Sequence, residues 1–399
     1  MLRFEEARER LLSLARPLGQ ERVGLDDAMD RVLADDVVAA ADFPAADTSA
    51  MDGYAVTAAD VVGAIALKLA AEARPGGPPV THERGTATRI FTGAALPRGA
   101  DAVVPQENVV AEAGDVSFPS AVAAFAHVRR RGEDLASGTL ALSRGTRLAA
   151  AQIGLLASLD RAWVNVARRP RVTVFATGDE LRLPGASGPM GSIAESGTFM
   201  VRAMARRCGA NVVALPSAPD DLAAIARTLG EALASSDVVI TIGGMSVGDH
   251  DLVRPALRTL GVELDLWKVA IKPGKPLGIA SANGALMLGL PGNPAAAFVT
   301  FGLFGVPLLR RLQGAAEVVP AAWRATLTRP IAHKPGRLEF VRATLRREAG
   351  ELVATPLAHQ SSGSVASVGQ ADALVVVPQD AGALSAGERV DVVLFSDLS

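Results

Sequence analysis

From Arg171 onward the chain alternates between two rhythms, and no other feature limits its fold so tightly. Arg171–Ala176 (RVTVFA), Asn211–Leu215, Asp237–Ile242 and Ala285–Leu290 are short apolar runs of β type. Helical patterns at about 195–208, 220–234, 250–260 and 295–312 follow them in turn. Strands alternating with helices predict a parallel sheet covered on both faces, because each crossover must travel back over the sheet before the next strand can pair. In such sheets ligands bind beyond the carboxyl ends of the strands. The four runs lead into Thr177-Gly178-Asp179-Glu180, Pro219-Asp220-Asp221, Gly243-Gly244-Met245-Ser246-Val247-Gly248-Asp249-His250-Asp251 and Pro291-Gly292-Asn293-Pro294. One such loop would mean little, since Asp and Gly populate turns for conformational reasons alone. Four of them at one sheet edge predict a functional site.

The rest of the chain reads differently. Residues 4–16 place Phe4, Leu11, Leu12 and Leu14 at helical spacing, and a second short helix is expected around Leu25–Leu33. The stretch DFPAADTSAMDGYAV is too rich in turn formers for either element. Short β segments separated by Gly and Pro clusters run from about 56 to 140, and a helix returns at Ala149–Leu159. After Val318-Val319-Pro320 the helices stop and short strands predict a small β-barrel or sandwich. A chain of 399 residues accommodates two to four domains. The expected fold is therefore multidomain α/β. It comprises an N-terminal helical and linker region (1–48 plus 140–168), a β-rich insert (49–139), a central parallel α/β domain (169–316) and a C-terminal small β-barrel (317–399).

Composition removes several function classes. Formal net charge is −2, so no global field recruits nucleic acid or an anionic membrane. Pro276–Leu309 carries no charge, but Gly278, Asn283-Gly284, Pro291-Gly292-Asn293-Pro294 and Pro307 cut it into short elements, which favours buried core over a membrane span. The single cysteine, Cys208, cannot form an intramolecular disulfide and falls within a helical apolar pattern, as an inert buried thiol would. The N-terminus mixes acids and bases and does not read as a signal peptide. A cytoplasmic protein is expected.

The loops suggest a division of labour. Gly243 and Gly244, with Ser246 and Gly248, lead into a helix, the arrangement in which backbone N–H groups hold a phosphate. Glu180, Asp220 and Asp251 supply hard oxygen ligands suited to Mg²⁺, although helix caps or solvated loop acids explain each singly. Only five lysines stand against 35 arginines, yet Lys268, Lys272 and Lys275 fall within eight residues. Lysine is a compact point charge that grips phosphate-like groups without planar geometry, which favours an anion site over a solvated turn. Carboxylates beside lysines and a glycine-rich loop describe phosphoryl or oxyanion transfer.

Eight short motifs, in order, give the chain a resemblance. They are Ser49-Ala-Met-Asp-Gly-Tyr-Ala55, Ile90-Phe-Thr-Gly93, Gly99-Ala-Asp-Ala-Val-Val104 and Arg130-Arg-Gly-Glu-Asp134, then Thr177-Gly-Asp-Glu-Leu181, Gly243-Gly-Met-Ser-Val-Gly248, Lys272-Pro-Gly-Lys-Pro276 and Pro291-Gly-Asn-Pro294. Together they resemble the molybdopterin molybdenumtransferases of the bacterial MoeA type, related to the plant and gephyrin E domains. The resemblance implies molybdate insertion into adenylylated molybdopterin with release of AMP, assisted by Mg²⁺ or another divalent cation. It implies functional acids at Asp52, Asp134, Glu180, Asp220 and Asp251, and metal contacts at Glu180, Asp220 and Asp251. Substrate contacts are implied at Thr92, Gly178, Gly243, Gly244, Ser246, Gly248, Lys268, Lys272, Lys275, Pro291, Asn293 and Pro294. It further implies a homodimer with a shared active site, Asp52 reaching a neighbour's cleft, and a molybdopterin adenylyltransferase as an upstream partner. Neither nucleic acid nor membrane enters this expectation.

Three segments depart from the family pattern. Glu195-Ser196-Gly197 stands where an Asp-Ser-Asn type is frequent, Ala295-Ala296-Ala297 stands where Val-Ser-Ala is common, and His359-Gln-Ser-Ser-Gly363 follows the pattern loosely. Two other functions share parts of the signature: a molybdopterin adenylyltransferase, through the sheet domain alone, and a non-catalytic scaffold of the gephyrin E-domain type.

Overall fold

In a computed structural model of the chain, residues 1–245 and 252–398 are described. They form two compact units. The first comprises Met1–Ala34, Arg144–Ala149 and Trp163–Ser399; the second comprises Asp35–Ser143 and Ala150–Ala162.

The first unit contains a six-stranded sheet. Its strands are β1 (Arg171–Ala176), β2 (Asn211–Ala214), β3 (Val238–Ile242), β4 (Asp265–Lys268), β6 (Pro276–Ala282) and β7 (Ala285–Leu290), with a two-residue strand β5 (Ile271–Lys272) outside it. The spatial order is β2-β1-β3-β7-β6-β4. β2, β1, β3 and β7 run parallel, whereas β6 is antiparallel to β7 and β4 to β6. The all-parallel expectation therefore holds for four strands, and a tight turn at Asn283-Gly284, both in left-handed conformation, returns β6 against β7. β3 and β7 are buried along their whole length, as strands covered on both faces must be.

Alternation sorts the side chains between two cores. Val172, Val174, Ile240 and Leu288 join the helices Gly197–Arg207 and Pro294–Leu312 on one face. Phe175, Val239 and Met287 meet Leu222–Ser235 and Val253–Thr259 on the other. The N-terminal helix, Phe4–Leu14, joins the first core, where Phe4 makes edge contacts with Phe304 (5.4 Å) and Phe340 (5.6 Å). Pro294–Leu312 is long and apolar enough to cross a membrane, but 89% of its most apolar 18-residue window is buried within the molecule. It is core.

The expected helix at Leu25–Leu33 is absent. Only a 3₁₀ turn, Leu25–Asp27, forms; Asp30 then takes a left-handed conformation, and Val32 and Leu33 bridge to Arg147 and Val166. Strand-like pairing buries these residues better than a helix would.

The C-terminal strands are β8 (Trp323–Leu327), β9 (Leu338–Glu348), β10 (Glu351–Pro356), β11 (Ala373–Val377) and β12 (Arg389–Leu394). They pair in the cycle β8-β10-β9-β11-β12-β8 and close a five-stranded barrel. Closure leaves no edge between these strands. β5 then lays its two residues parallel to β9, with Ile271 opposite Leu338 and Lys272 opposite Glu339.

The second unit is built on another six-stranded sheet, with Gly53–Val56, the strand that follows Asp52, fully buried. A Cβ on Gly53 would collide with the Val104 carbonyl of the paired strand, so glycine is required there. The helix Ala150–Ser158 belongs to the same unit.

Candidate active site

Backbone hydrogen bonds stitch the loops at the carboxyl ends of the parallel strands together. Thr177 N donates to Ile242 O (3.2 Å), Gly178 N to Ala218 O (3.3 Å), and Gly243 N to Leu290 O (3.1 Å). The acids divide between structural and available roles. Asp221 caps the helix Leu222–Ser235, accepting from Ala224 N at 2.7 Å. That frees Asp220, whose N–H donates to Asp179 Oδ1 (3.0 Å) while its Oδ2 accepts from Asp179 N (3.4 Å). Glu180 is exposed and folds its carboxylate back over Gly178. Gly178 has φ 144°, and a Cβ there would occupy the space of that carboxylate.

Beside these loops lies a cavity of about 730 Å³. Gly243–Met245, Lys272–Pro276, Pro291–Asn293, Ala296, Arg337 and Gln360–Ser362 line it. Lys272, Lys275 and Arg337 are its charges, and no carboxylate stands among the described lining residues. Such a wall suits an anion. Gly243 and Gly244 both have positive φ (89° and 69°), and the missing Cβ of Gly243 leaves room for the Thr177 carbonyl. Asn293 stands at the N-cap of the helix Pro294–Thr300 without spending its side chain on a cap bond.

The C-terminal region supplies Arg337 and Gln360–Ser362 to the wall. Arg342, wholly buried on β9, donates to Ser361 O (3.0 Å), and the Gln360 amide brackets the Arg342 backbone (3.0 and 2.8 Å). Ala295 N donates to Ser362 O (3.0 Å), which ties the loop to the start of the Pro294–Leu312 helix. Burial lowers the Arg342 pKa. Sequence reasoning did not propose Arg337 or Gln360–Ser362 as site residues.

Other proposed positions fall elsewhere. Lys268 lies on β4, outside the cavity lining, and Pro294 opens its helix. Ser246, Gly248 and Asp251, like His250, lie outside the described residues. Asp52, Thr92 and Asp134 belong to the second unit. There Asp52 Oδ1 accepts from Thr92 N (2.7 Å) and Thr92 Oγ1 (2.9 Å), and these bonds hold its carboxyl below the usual carboxylate range. Asp134 pairs with Arg129, which also holds Glu133 at 2.8 Å.

Three further residues bear on the sequence departures and the lone thiol. Glu195 is buried and acts as a local cap, accepting from Thr198 N (2.7 Å) and Thr198 Oγ1 (2.6 Å), while Gly197 packs against Ile242. Burial pushes the Cys208 thiol up to about 11, as an inert core cysteine requires.

Models of known families match in succession: the MoeA N-terminal region (domains I and II) over residues 2–159, a probable molybdopterin-binding domain over 173–311, and the MoeA C-terminal region (domain IV) over 324–395. The molybdopterin molybdenumtransferase of Haemophilus influenzae is 34% identical over 403 aligned positions, covering 100% of both chains. The chain belongs to the MoeA family. Another relative, molybdopterin molybdenumtransferase 2 of Mycobacterium tuberculosis, is 36% identical over 93% of this chain and 94% of its own. The crystal structure of the molybdopterin biosynthesis MoeA protein of Pyrococcus horikoshii superposes with a TM-score of 0.86, at 29% identity, over 99% of this chain and 100% of that one. The strand-end loops described above thus lie within the stretch matched by the molybdopterin-binding model, and the barrel residues of the cavity within that matched by the MoeA C-terminal model.

Proposed function

We propose that this MoeA-family enzyme inserts molybdenum from molybdate into adenylylated molybdopterin and releases AMP, and that the cavity of Lys272, Lys275 and Arg337 receives the molybdate. The observation that carries this reading is the sign of the charges. A tetrahedral dianion needs a surplus of cations, and the described lining carries Lys272, Lys275 and Arg337 with a single carboxylate, Glu339, paired to Lys272 from behind the wall. The acids instead occupy the adjoining strand-end loops, beside Gly243 and Gly244, where the phosphates of the adenylylated substrate would sit.

Glu180 and Asp220 offer hard oxygen donors from neighbouring loops, which suits a Mg²⁺ ion held by one or two carboxylates and completed by substrate phosphates. Asp251, the third donor implied by the family resemblance, lies outside the described residues, so Glu180 and Asp220 are the described part of that donor set. When bound, Mg²⁺ would neutralise phosphate charge as AMP leaves. The protein's own groups hold the two anionic substrates side by side, which turns an encounter in solution into a reaction within one site.

Lys275 is exposed, lines the cavity and makes no ion pair among the described residues. Lys275→Gln is expected to raise the KM for molybdate about 10-fold, the equivalent of roughly 1.4 kcal/mol, with the melting temperature unchanged. Steady-state AMP release against molybdate concentration checks this, and an unchanged KM removes the cavity assignment.

A homodimer with a shared site is part of the same reading, as is residence in a reducing cytoplasm. Among the described residues the Asp52 and Asp134 carboxylates bond within their own unit, to Thr92 and Arg129, and a carboxylate completing another subunit's cleft is compatible with that. Asp52→Ala and Glu180→Ala subunits, each inactive alone, are expected to regain part of the activity when mixed. Strict absence of complementation, with heterodimers present, would contradict a shared site.

A further inference from the structure

Among the three cavity cations, Lys272 alone has a carboxylate in contact among the described residues. Its Nζ lies 2.7 Å from Oε1 of Glu339, whose side chain is only 8% exposed. The other oxygen, Oε2, meets Nδ1 of His333 at 2.8 Å, and that imidazole is 2% exposed. A carboxylate only accepts, so the imidazole proton at this contact sits on Nδ1. His333 Nε2 is buried without a partner among the described residues, which leaves Glu339 as the described hydrogen-bond contact that fixes the ring. The backbone reinforces the arrangement, because β5 and β9 pair with Lys272 directly opposite Glu339.

A lysine stem samples many rotamers, and an ammonium facing a 730 Å³ cavity has no reason of its own to hold one position. Glu339 gives it that reason. One of the three ammonium donors is spent on Oε1, and the other two remain for a ligand. The pair also cancels one positive charge in the ligand-free cavity, leaving Lys275 and Arg337 to set its net charge.

We propose that Glu339, itself oriented by His333, is a positioning residue that sets the place and direction of the Lys272 ammonium toward the oxyanion. This rests on the molybdate reading of the cavity. A purely structural ion pair would hold β5 to the barrel and leave anion affinity in the folded protein unchanged. A positioning pair acts through Lys272 and has no effect once Lys272 is gone.

A double-mutant cycle in the full-length protein separates the two. Molybdate affinity is measured by titration calorimetry, and molybdate-dependent AMP release is measured alongside. Glu339→Gln, which keeps size and one acceptor, is expected to weaken molybdate binding about fivefold and raise the KM for molybdate to match, with kcat within about twofold. In the Lys272→Gln background the same change is expected to add nothing. His333→Gln should act in the same direction, more weakly, and also vanish in that background; it decides the matter if Glu339→Gln does not fold. Effects that multiply, or a lowered melting temperature with molybdate affinity intact, overturn the clamp. Wild-type protein that binds no molybdate and shows no molybdate-dependent AMP release overturns the functional reading beneath it instead.

Discussion

Glu180→Gln is expected to fold normally and to lose at least ~10-fold in molybdate-dependent AMP release at saturating substrate, a barrier increase of about 1.4 kcal/mol or more. Gln preserves the shape of the side chain, so it can still fold back over Gly178. What it removes is the negative charge. Glu180 is exposed, forms no ion pair among the described residues and caps no helix there, so the fold draws little from that charge. Asp220→Asn is expected to behave similarly, because Asp221 already serves as the cap of the helix that follows. Substrate binding should survive in both variants, since the cavity cations lie on other segments. Wild-type turnover in both at saturating Mg²⁺ and substrate would leave these carboxylates without a chemical role.

The largest effect on stability is expected at the opposite ends of the same strands. Asp237, just before β3, takes a two-pronged bond from Arg168 (2.7 and 2.7 Å) and another from Arg171 N (2.8 Å). Burial alone would push its carboxyl up, but the Arg168 and Arg171 bonds outweigh that and hold it at about 2. The folded value therefore lies below the unfolded value of roughly 3.9. The stabilisation is complete above about pH 5 and disappears as pH falls toward 2. Asp237→Asn is expected to cost about 2 kcal/mol near neutral pH, lowering the melting temperature by roughly 3–4 °C. Thermal scans of both proteins from pH 7 down to pH 3 should show the gap narrowing with acidity. A gap independent of pH would mean that shape, not charge, supplies the stability.

Where the sequence was legible, the reason was local. β1 and β7 coincide with their apolar runs because both are buried on two faces, and Gly or Pro punctuates the loops that follow. The loops gather at one edge because parallel strands must present all their carboxyl ends together. What escaped was set by distant pairing. Asp265–Lys268 is short and mixes charged with apolar residues, so nothing marked it as an edge strand antiparallel to β6. Ile271–Lys272 is too short for any periodicity, yet its pairing with Leu338 and Glu339 sets the Lys272–Glu339 contact beside the cavity. Arg337 and Gln360–Ser362 reach the site through that pairing and through Arg342. The lysine cluster was visible as a cluster. That Lys272 is held by a carboxylate and Lys268 lies outside the cavity lining is visible only in the fold.

The most direct test is a single-turnover experiment with purified protein, adenylylated molybdopterin and Mg²⁺, run with and without molybdate. Molybdenum retained on the pterin and AMP released are quantified together. One molybdenum is expected to be retained per AMP released, with almost no AMP when molybdate is omitted. AMP released at the same rate without molybdate, or formation of adenylylated pterin from ATP and free molybdopterin, would contradict that expectation.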